Sequence, residues 1–163
     1  MAAAAPQDHL DQLAAAVRAA GGKLTHQRLE ILRELVGNPD HPDAEAVFRS
    51  VVRRVPTISL DTVYRTLWRL VDLGVISTLG PRRDSIRFDP NTAPHHHFVC
   101  ERCGSIRDFH SPRLTNLPLP PEVATLGTVT GAQVEVRGVC TTCARASAAP
   151  RRRQPRRAPK ESS

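Results

Sequence analysis

Long hydrophobic runs are missing from the 163-residue chain: no apolar stretch approaches the roughly 18 residues that a membrane-spanning helix needs. The segment from Met1 to Pro6 has no basic residue ahead of an apolar stretch, so we expect no secretory leader. Aromatic residues make up only 4% of the chain, which argues against a large aromatic-lined pocket. The chain is therefore expected in a reducing cytoplasm, without a membrane partner, where paired cysteines more often hold a metal than form disulfides.

Excess positive charge is concentrated at one end of the chain. There are 23 Lys and Arg residues against 16 Asp and Glu, and residues 147–163 contribute six of the basic residues and one of the acidic ones. The rest of the chain therefore has a net charge of only +2. This tail has three prolines and no periodic apolar pattern, so we expect it to be disordered. It either keeps the protein soluble or adds nonspecific contacts to phosphates.

Hydrophobic residues recur with a helical period over the first half of the chain and predict four helices. The first covers 8–20, and the second covers 26–36 with Thr25 as its N-cap. Asp43 and Ser59 are predicted to cap the third and fourth helices. In the fourth helix the inner stripe is Val63, Leu67, Leu70 and Val71, and the outward positions are Asp61, Thr62, Arg65, Trp68 and Arg69, with Tyr64 at the edge.

The second half of the chain is predicted to be mostly strands. After Gly74 the period changes towards two, which predicts a hairpin of strands 75–79 and 85–88 around a turn at 80–84. Helices followed by a hairpin are the order of a winged helix-turn-helix, with the fourth helix in the recognition position. Beyond a hinge at 91–94, strands are predicted near 97–100, 105–109 and 132–139. This second unit of about 50 residues is too small to depend on its own core alone.

The four cysteines form two pairs, Cys100-x2-Cys103 and Cys140-x2-Cys143. Each pair follows a predicted strand, and a two-residue spacer lets both sulfurs of a pair converge on one ion. Four thiolates in a tetrahedron suit Zn²⁺ and fill its coordination shell, so such a site is structural. Removal of the zinc should then unfold the small domain. The alternative is a pair of redox-active dithiols.

A second constellation has no sulfur and straddles the hinge: His41, Asp89, His95, His97 and Asp108. Each residue alone is more often an ordinary surface or turn residue. On a strand, however, His95 and His97 point to one side and His96 to the other. Three imidazoles and two carboxylates suit Fe²⁺, Mn²⁺ or Zn²⁺. Because ligand imidazoles must be neutral, we expect affinity for the ion to fall below roughly pH 6.5.

From about Gly21 to Cys143 the sequence resembles the ferric uptake regulator family of bacterial metalloregulators. The motifs that carry the resemblance are GGKLTHQRLEIL, DHPDAEAVF, SLDTVYRTLWRL, RFD, HHHFVCERCG and GVCTTC. The resemblance implies an α+β chain, with a winged-helix DNA-binding domain over 1–90, the hinge, a small α/β dimerisation domain over 95–146 and the tail. It also implies a structural Zn²⁺ on the four cysteines and a regulatory Fe²⁺ or Mn²⁺ on the five His and Asp residues.

Only a few residues distinguish the subfamilies of this family. The last regulatory ligand is usually Glu in iron-uptake regulators and Asp in peroxide-sensing ones, so Asp108 favours a peroxide-responsive repressor over an iron-uptake regulator. Peroxide reacting at bound iron would then oxidise His41 or His95. Zinc-uptake regulators typically have a Cys near the position of Asp89, and no cysteine is left over here. Pro118, Pro120 and Pro121 shorten the helix through which the family dimerises.

The resemblance also implies a homodimer that presents two recognition helices to a palindromic site on double-stranded DNA. The predicted DNA contacts are Lys23, Ser59, Thr62, Tyr64, Arg65 and Arg69, with Arg49, Arg53, Arg54, Arg82 and Arg83 as further phosphate or minor-groove candidates. Two other functions use the same residues differently. One is a metalloenzyme, which would need a substrate pocket and a general base. The other is a zinc-stapled interaction module with a degenerate winged helix.

Overall fold

Four helices form the N-terminal half of the protein in the computed structural model, which describes residues 6–80, 86–129 and 132–148. The predicted N-caps are confirmed: Thr25, Asp43 and Ser59 each accept a hydrogen bond from the backbone N–H three residues later. The first helix begins two residues earlier than predicted and ends one residue earlier. The helices are α1 (Pro6–Ala19), α2 (His26–Gly37), α3 (Ala44–Val51) and α4 (Leu60–Asp72).

A short antiparallel hairpin follows α4 and completes the first unit. It pairs β1 (Ser77–Leu79) with β2 (Arg87–Asp89), with Thr78 opposite Phe88. The predicted strands at 75–79 and 85–88 are corrected accordingly: Val75 and Ile76 belong to the buried core ahead of the strand, and the return strand begins two residues later and ends one residue later. Residues 81–85, which include most of the predicted turn with Arg82 and Arg83, lie outside the described residues.

The hydrophobic core lies between α1 to α4 and the hairpin. On α4 the buried residues are Val63, Thr66, Leu67 and Leu70, whereas the predicted inner residue Val71 is only half-buried. Of the predicted outward residues, Thr62 is half-buried and the other four are exposed, with Trp68 at 42%. Tyr64, predicted at the edge, is 41% exposed. The largest side chain buried in this core is Phe88 of β2.

A polar network joins α2 to the turn after α3. The buried carboxylate of Glu30 accepts a hydrogen bond from Arg54 at 2.7 Å and is also paired with Arg33. Burial raises the pKa of Glu30, but these arginines lower it by more, so it stays below its usual value. Arg54 also contacts Glu34 at 3.1 Å. Arg54, a candidate phosphate contact, is thus engaged by two carboxylates of α2.

The second unit is built on a three-stranded sheet with the order β4-β3-β5. The central strand β3 (His96–Cys100) pairs antiparallel with β4 (Ile106–Phe109) and parallel with β5 (Glu135–Gly138). The strand predicted over 132–139 is shorter than expected at both ends. Two short proline-initiated helices, α5 (Pro112–Thr115) and α6 (Pro121–Leu126), connect β4 to β5.

A seventh helix, α7 (Thr141–Ala148), ends the described part of the chain and was not predicted. The predicted disordered tail therefore cannot start at 147, and residues 149–163 lie outside the described residues. Among the helices that the structure describes, none is both long and apolar enough to cross a bilayer. The predicted α+β class is confirmed.

Substitutions on the two faces of α4 should change the stability of the protein to very different extents. Leu67 is fully buried, so Leu67→Ala should lower the free energy of unfolding by about 3 kcal/mol. Arg65 on the outer face is 81% exposed, and Arg65→Ala should change the free energy of unfolding by less than about 0.5 kcal/mol. Urea unfolding followed by circular dichroism measures both; equal effects of the two substitutions would contradict this orientation of the helix.

Candidate metal centres and nucleic-acid interface

The four cysteine sulfurs converge at one end of the sheet. One sulfur atom from each of Cys100, Cys103, Cys140 and Cys143 lies within 4.8 Å of the others. The Sγ atoms of Cys103 and Cys140 are 3.9 Å apart. A tetrahedral Zn²⁺ with bonds of about 2.3 Å requires sulfurs about 3.8 Å apart, which is close to the separation of this pair.

Strand pairing brings the two cysteine pairs together although 36 residues separate them in sequence. Cys100 lies opposite Gly138 in the parallel register of β3 and β5, and the N–H of Glu101 donates to the Gly138 carbonyl at 2.8 Å. Gly104, with φ of +69°, turns the chain back after Cys103. Because the strands continue directly into these turns, each pair arrives at the same point in space.

Hydrogen bonds to the sulfurs prepare the cluster for a cation. The backbone N–H of Cys140 donates to the Cys100 sulfur at 3.3 Å, and it is the main cause that lowers the pKa of Cys100 to about 6. The hydrogen bond with Cys140 is the main cause that raises the pKa of Cys143 to about 12. Zn²⁺ binds thiolates, so its binding would displace the protons that these thiols retain.

The five predicted His and Asp residues also come together, at the junction of the two units. The donor atoms of His95, His97 and Asp108 lie within 4.8 Å of one another, as do those of His41, Asp89 and His97. The Nε2 atoms of His95 and His97 are 2.8 Å apart. His95 Nε2 is 3.0 Å from an Asp89 oxygen, and His41 Nε2 is 2.6 Å from an Asp108 oxygen. One ion with bonds of about 2.1 Å could be shared by donors at such separations.

Each unit positions its own ligands. In the second unit the antiparallel register puts His97 directly opposite Asp108. In the first unit Asp89 ends β2, and the N–H of Phe88 donates to the Pro42 carbonyl at 3.2 Å, which holds the loop of His41 against the strand. Arg87 also donates to the carbonyl of His41 at 3.3 Å. His41 has φ of +49°, a costly conformation for a residue with a side chain and one that is commonest at functional sites.

The segment predicted as a hinge carries a chain of hydrogen bonds between two of these ligands. Asp89 Oδ1 accepts from the N–H of Asn91 at 2.8 Å, and Asn91 Oδ1 accepts from the N–H of Ala93 at 3.1 Å. The Ala93 carbonyl lies 2.7 Å from Nδ1 of His95. If Nδ1 carries the proton, Nε2 of His95 offers its lone pair to the site, which is the usual arrangement around a metal-bound histidine.

The chemistry of the donors fits a divalent cation. His41 Nδ1 and Asp89 Oδ2 are buried and have no hydrogen-bond partner within the described part of the chain. Buried polar atoms without partners are uncommon, and an ion would satisfy them. Four of the five residues are at most 3% exposed, whereas the side chain of Asp108 is 32% exposed. Solvent therefore reaches the cluster from the side of Asp108.

The charges of His41 and Asp108 are coupled. Burial lowers the pKa of His41, but the hydrogen bond and the charge of Asp108 more than offset it, so the pKa is raised above 6.5. Burial raises the pKa of Asp108, and the hydrogen bond to His41 reverses this, so the pKa lies below 3.8. Protons therefore compete for His41 at a higher pH than for an isolated imidazole.

His96 points to the other side of β3, as predicted from strand alternation. It is 1% exposed, its Nδ1 accepts from the N–H of Val134 at 3.4 Å, and its Nε2 lies 3.3 Å from the hydroxyl of Thr115. Because both ring nitrogens have partners in the second unit, this histidine links the central strand to α5 and to the start of β5. Neither group of oxygen and nitrogen donors includes it.

The outer face of α4 forms a groove with the start of α2. Tyr64, Arg65, Trp68 and Arg69 line this groove together with Arg28. Ser59 accepts from the N–H of Thr62 at 3.1 Å, so its hydroxyl is used as the cap of α4. Lys23 is exposed. Trp68 packs edge-on against Phe88 with ring centroids 6.1 Å apart, a contact that the sequence pattern did not reveal.

The comparison with protein families decides between the functions left open by the sequence. The model of the ferric uptake regulator family matches residues 19–125. The chain belongs to the ferric uptake regulator family. The resemblance found in the motifs is thereby confirmed, and the chain is a transcription regulator and not an enzyme. The interaction-module alternative is not supported either.

Individual members of the ferric uptake regulator family match most of the chain. The peroxide-responsive repressor PerR of Staphylococcus epidermidis is 37% identical over 137 residues, which cover 83% of this chain and 91% of that protein. The ferric uptake regulator of Francisella tularensis, solved with iron, is 26% identical, with a TM-score of 0.62 and coverage of 76% and 96%. The Helicobacter pylori regulator Fur, described with three functional metal-binding sites, is 24% identical, with a TM-score of 0.65 and coverage of 86% and 94%. The last of these supports the fold alone.

The cysteine cluster predicts that zinc and the second unit are lost together. Cys143→Ala should reduce the zinc retained after dialysis against EDTA from one ion per chain to none, and should lower the melting temperature by more than about 10 °C. Ser105→Ala is the matched control. It removes only a hydroxyl that lies 3.3 Å from the Cys103 sulfur, and should keep the ion with affinity reduced about tenfold. Full zinc content and unchanged melting of Cys143→Ala would exclude a four-cysteine site.

Proposed function

We propose that the protein is a metal-dependent, dimeric DNA-binding repressor of the cytoplasm that responds to peroxide. The observation that supports the proposal is a pair of donor groups at the junction of the units, which share His97: one is His41, Asp89 and His97, and the other is His95, His97 and Asp108. In this proposal the winged-helix domain covers 1–90, the hinge 91–94 and the dimerisation domain 95–146. A donor set divided between two units can favour one arrangement of these units over all others.

The regulatory ligands we propose are His41 and Asp89 from the first unit and His95, His97 and Asp108 from the second. Binding of one cation by all five requires both units in the arrangement described above. The affinity for DNA then follows the population of this arrangement. An ion shifts that population only as far as it binds this arrangement more tightly than the others.

The two clusters are proposed to take different ions. The four cysteines would hold a structural Zn²⁺, since four thiolates leave no position for another ligand. The His and Asp residues would hold Fe²⁺ or Mn²⁺, because carboxylates and imidazoles without thiolates suit these harder ions. Solvent access from the side of Asp108 supports reversible loading of the second cluster.

A peroxide response is supported by Asp108, which is the residue typical of that branch, and by the 37% identity to a peroxide-responsive repressor. Fe²⁺, when bound, would supply the electrons that reduce peroxide. His41 and His95 are the side chains we expect to be oxidised, and an oxidised imidazole is a poorer ligand. An iron-uptake regulator is the second candidate, because the same five residues suit Fe²⁺ and a 26% identical regulator was solved with iron.

The recognition surface is proposed to be the outer face of α4. Arg65 can donate to a guanine edge, and Tyr64 or Thr62 can contact a thymine methyl group. Lys23, Ser59 and Arg69 are proposed to contact the backbone or adjacent bases. Arg65 is only weakly engaged within the protein, by Asp61 at 3.5 Å, so it is available to DNA.

Dimerisation is supported by apolar side chains that the second unit leaves exposed, and by β5 at the edge of its sheet. A palindromic site on double-stranded DNA would match the two recognition helices of such a homodimer. The exposed apolar side chains are those of Leu117, Leu119, Leu126, Val129, Val136 and Val139.

Binding to promoter DNA, measured with and without metal and peroxide, tests the proposed function. Mn²⁺ should strengthen binding by about ten- to hundredfold, and His97→Ala and Asp108→Ala should abolish this gain. Peroxide should release the Fe²⁺ form from DNA and leave the Mn²⁺ form bound, with an added oxygen on His41 or His95 in the mass spectrum. Fe²⁺-dependent binding that peroxide leaves intact would favour the iron-uptake regulator instead.

His110→Ala is the matched control for these variants. The His110 ring lies 6.1 Å from that of His95, but the residue is in neither donor group. It should therefore keep the full gain from Mn²⁺. A DNA affinity of the unaltered protein that neither Mn²⁺ nor a chelator changes would refute the proposed function.

The raised pKa of His41 predicts how the metal response depends on pH. Metal binding requires neutral His41, and its pKa in the metal-free protein lies above 6.5. The apparent affinity for Mn²⁺ should therefore begin to fall above pH 6.5 as the pH is lowered from 8, earlier than an unperturbed imidazole requires. Calorimetric titration between pH 6 and 8 measures this, with the zinc content as a control. Constant affinity over this range would contradict the prediction.

A further inference from the structure

Phe88 is the point at which the two ligand-bearing segments of the first unit meet. Its backbone N–H donates to the carbonyl of Pro42, the residue after His41, at 3.2 Å. Its neighbour in β2 is Asp89. The backbone of Phe88 is therefore connected to Asp89 by one peptide bond, and to His41 by the hydrogen bond to Pro42 and one peptide bond.

The ring of Phe88 carries this connection to the recognition helix. It is 1% exposed and meets the indole of Trp68 edge to face, with centroids 6.1 Å apart and planes at 82°. This is a favourable geometry for an aromatic pair. Trp68 lies one helical turn after Tyr64 and Arg65, on the outer face of α4.

Trp68 thus has one side against β2 and the other against the groove. Its side chain is 42% exposed and lines the groove together with Tyr64, Arg65 and Arg69. An exposed tryptophan on a surface rich in arginine is not needed for the core. Its contact with Phe88 nevertheless connects the outer face of α4 to β2, the strand that ends in Asp89.

We propose that Trp68 is a positioning residue: through Phe88, it couples occupancy of the His and Asp cluster to the orientation of the side chains that α4 presents to DNA. This inference rests on the proposed function. An ion that draws His41 and Asp89 towards the second unit moves the backbone of Phe88, and the ring pair passes the movement to α4. Rigid-body rotation of the whole first unit would, in contrast, leave this pair unchanged.

Fluorescence tests the first half of the coupling, because Trp68 is the one tryptophan in the sequence. Mn²⁺ added to the zinc-loaded protein should change the emission of Trp68 until one further ion per chain is bound, and a chelator should reverse the change. His97→Ala removes a ligand of the second unit, distant from Trp68 in sequence, and should abolish the change. Emission that stays constant while Mn²⁺ binds would overturn the proposal.

The second half of the coupling, from Trp68 to DNA, is tested by the ratio of the DNA affinity with Mn²⁺ to the DNA affinity without it. The ratio cancels any loss of a direct DNA contact. Trp68→Leu should lower the ratio about two- to tenfold, the range expected for loss of an aromatic pair, while Mn²⁺ still binds. Trp68→Phe retains an aromatic edge against Phe88 and should restore most of the ratio.

Tyr64→Leu is the matched control. Tyr64 is equally exposed on the same face, but no ring contact among the described residues joins it to Phe88. This variant should weaken DNA binding with and without Mn²⁺ and leave the ratio unchanged. If the unaltered protein responds to Mn²⁺ and Trp68→Leu keeps the full ratio, the coupling through Trp68 is wrong and the proposed function stands. If the unaltered protein does not respond, the proposed function and this inference both fail.

Discussion

The central strand β3 pairs with a neighbour on each side, and these two registers determine the geometry of both clusters. Its antiparallel register with β4 sets His97 opposite Asp108, and its parallel register with β5 sets Cys100 beside the turn that carries Cys140. Because side chains alternate along a strand, a slip by one residue would turn His95 and His97 away from the junction and bring His96 into it. The buried contacts of His96 with Thr115 and Val134 oppose such a slip.

The two clusters differ in chemistry, and the difference matches their places in the fold. The cysteines lie within the second unit, where a tightly held ion compensates for a small hydrophobic core. The His and Asp residues lie between the units, where burial of three imidazoles and the Asp89 carboxylate is costly unless a cation compensates them. Asp108, the exposed member, leaves this second cluster open to solvent. Four thiolates thus suit an ion that is held permanently, and the mixed oxygen and nitrogen donors suit one that exchanges.

Much of this could be predicted from the sequence wherever the signal is local. Cap residues, the spacing within cysteine pairs and the alternation of His95 and His97 depend on neighbours along the chain, and the structure agrees with them. Tertiary contacts could not be predicted from these local patterns. The engagement of Arg54 by Glu30, the bond from Arg87 to the loop of His41 and the packing of Trp68 on Phe88 join residues 20 or more positions apart. The helix after Cys140 was missed because its short sequence is rich in small residues without an apolar period.

The hydrogen-bonded segment from Asp89 through Asn91 and Ala93 to His95 has a consequence for chelation. Two donors belong to one unit and three to the other, and this ordered tether holds them at a high effective concentration. Little conformational entropy remains to be lost when an ion arrives. Cleavage of the backbone within this tether would separate the ligands into a group of two and a group of three. The affinity for the ion therefore depends on an intact backbone as much as on the ligands themselves.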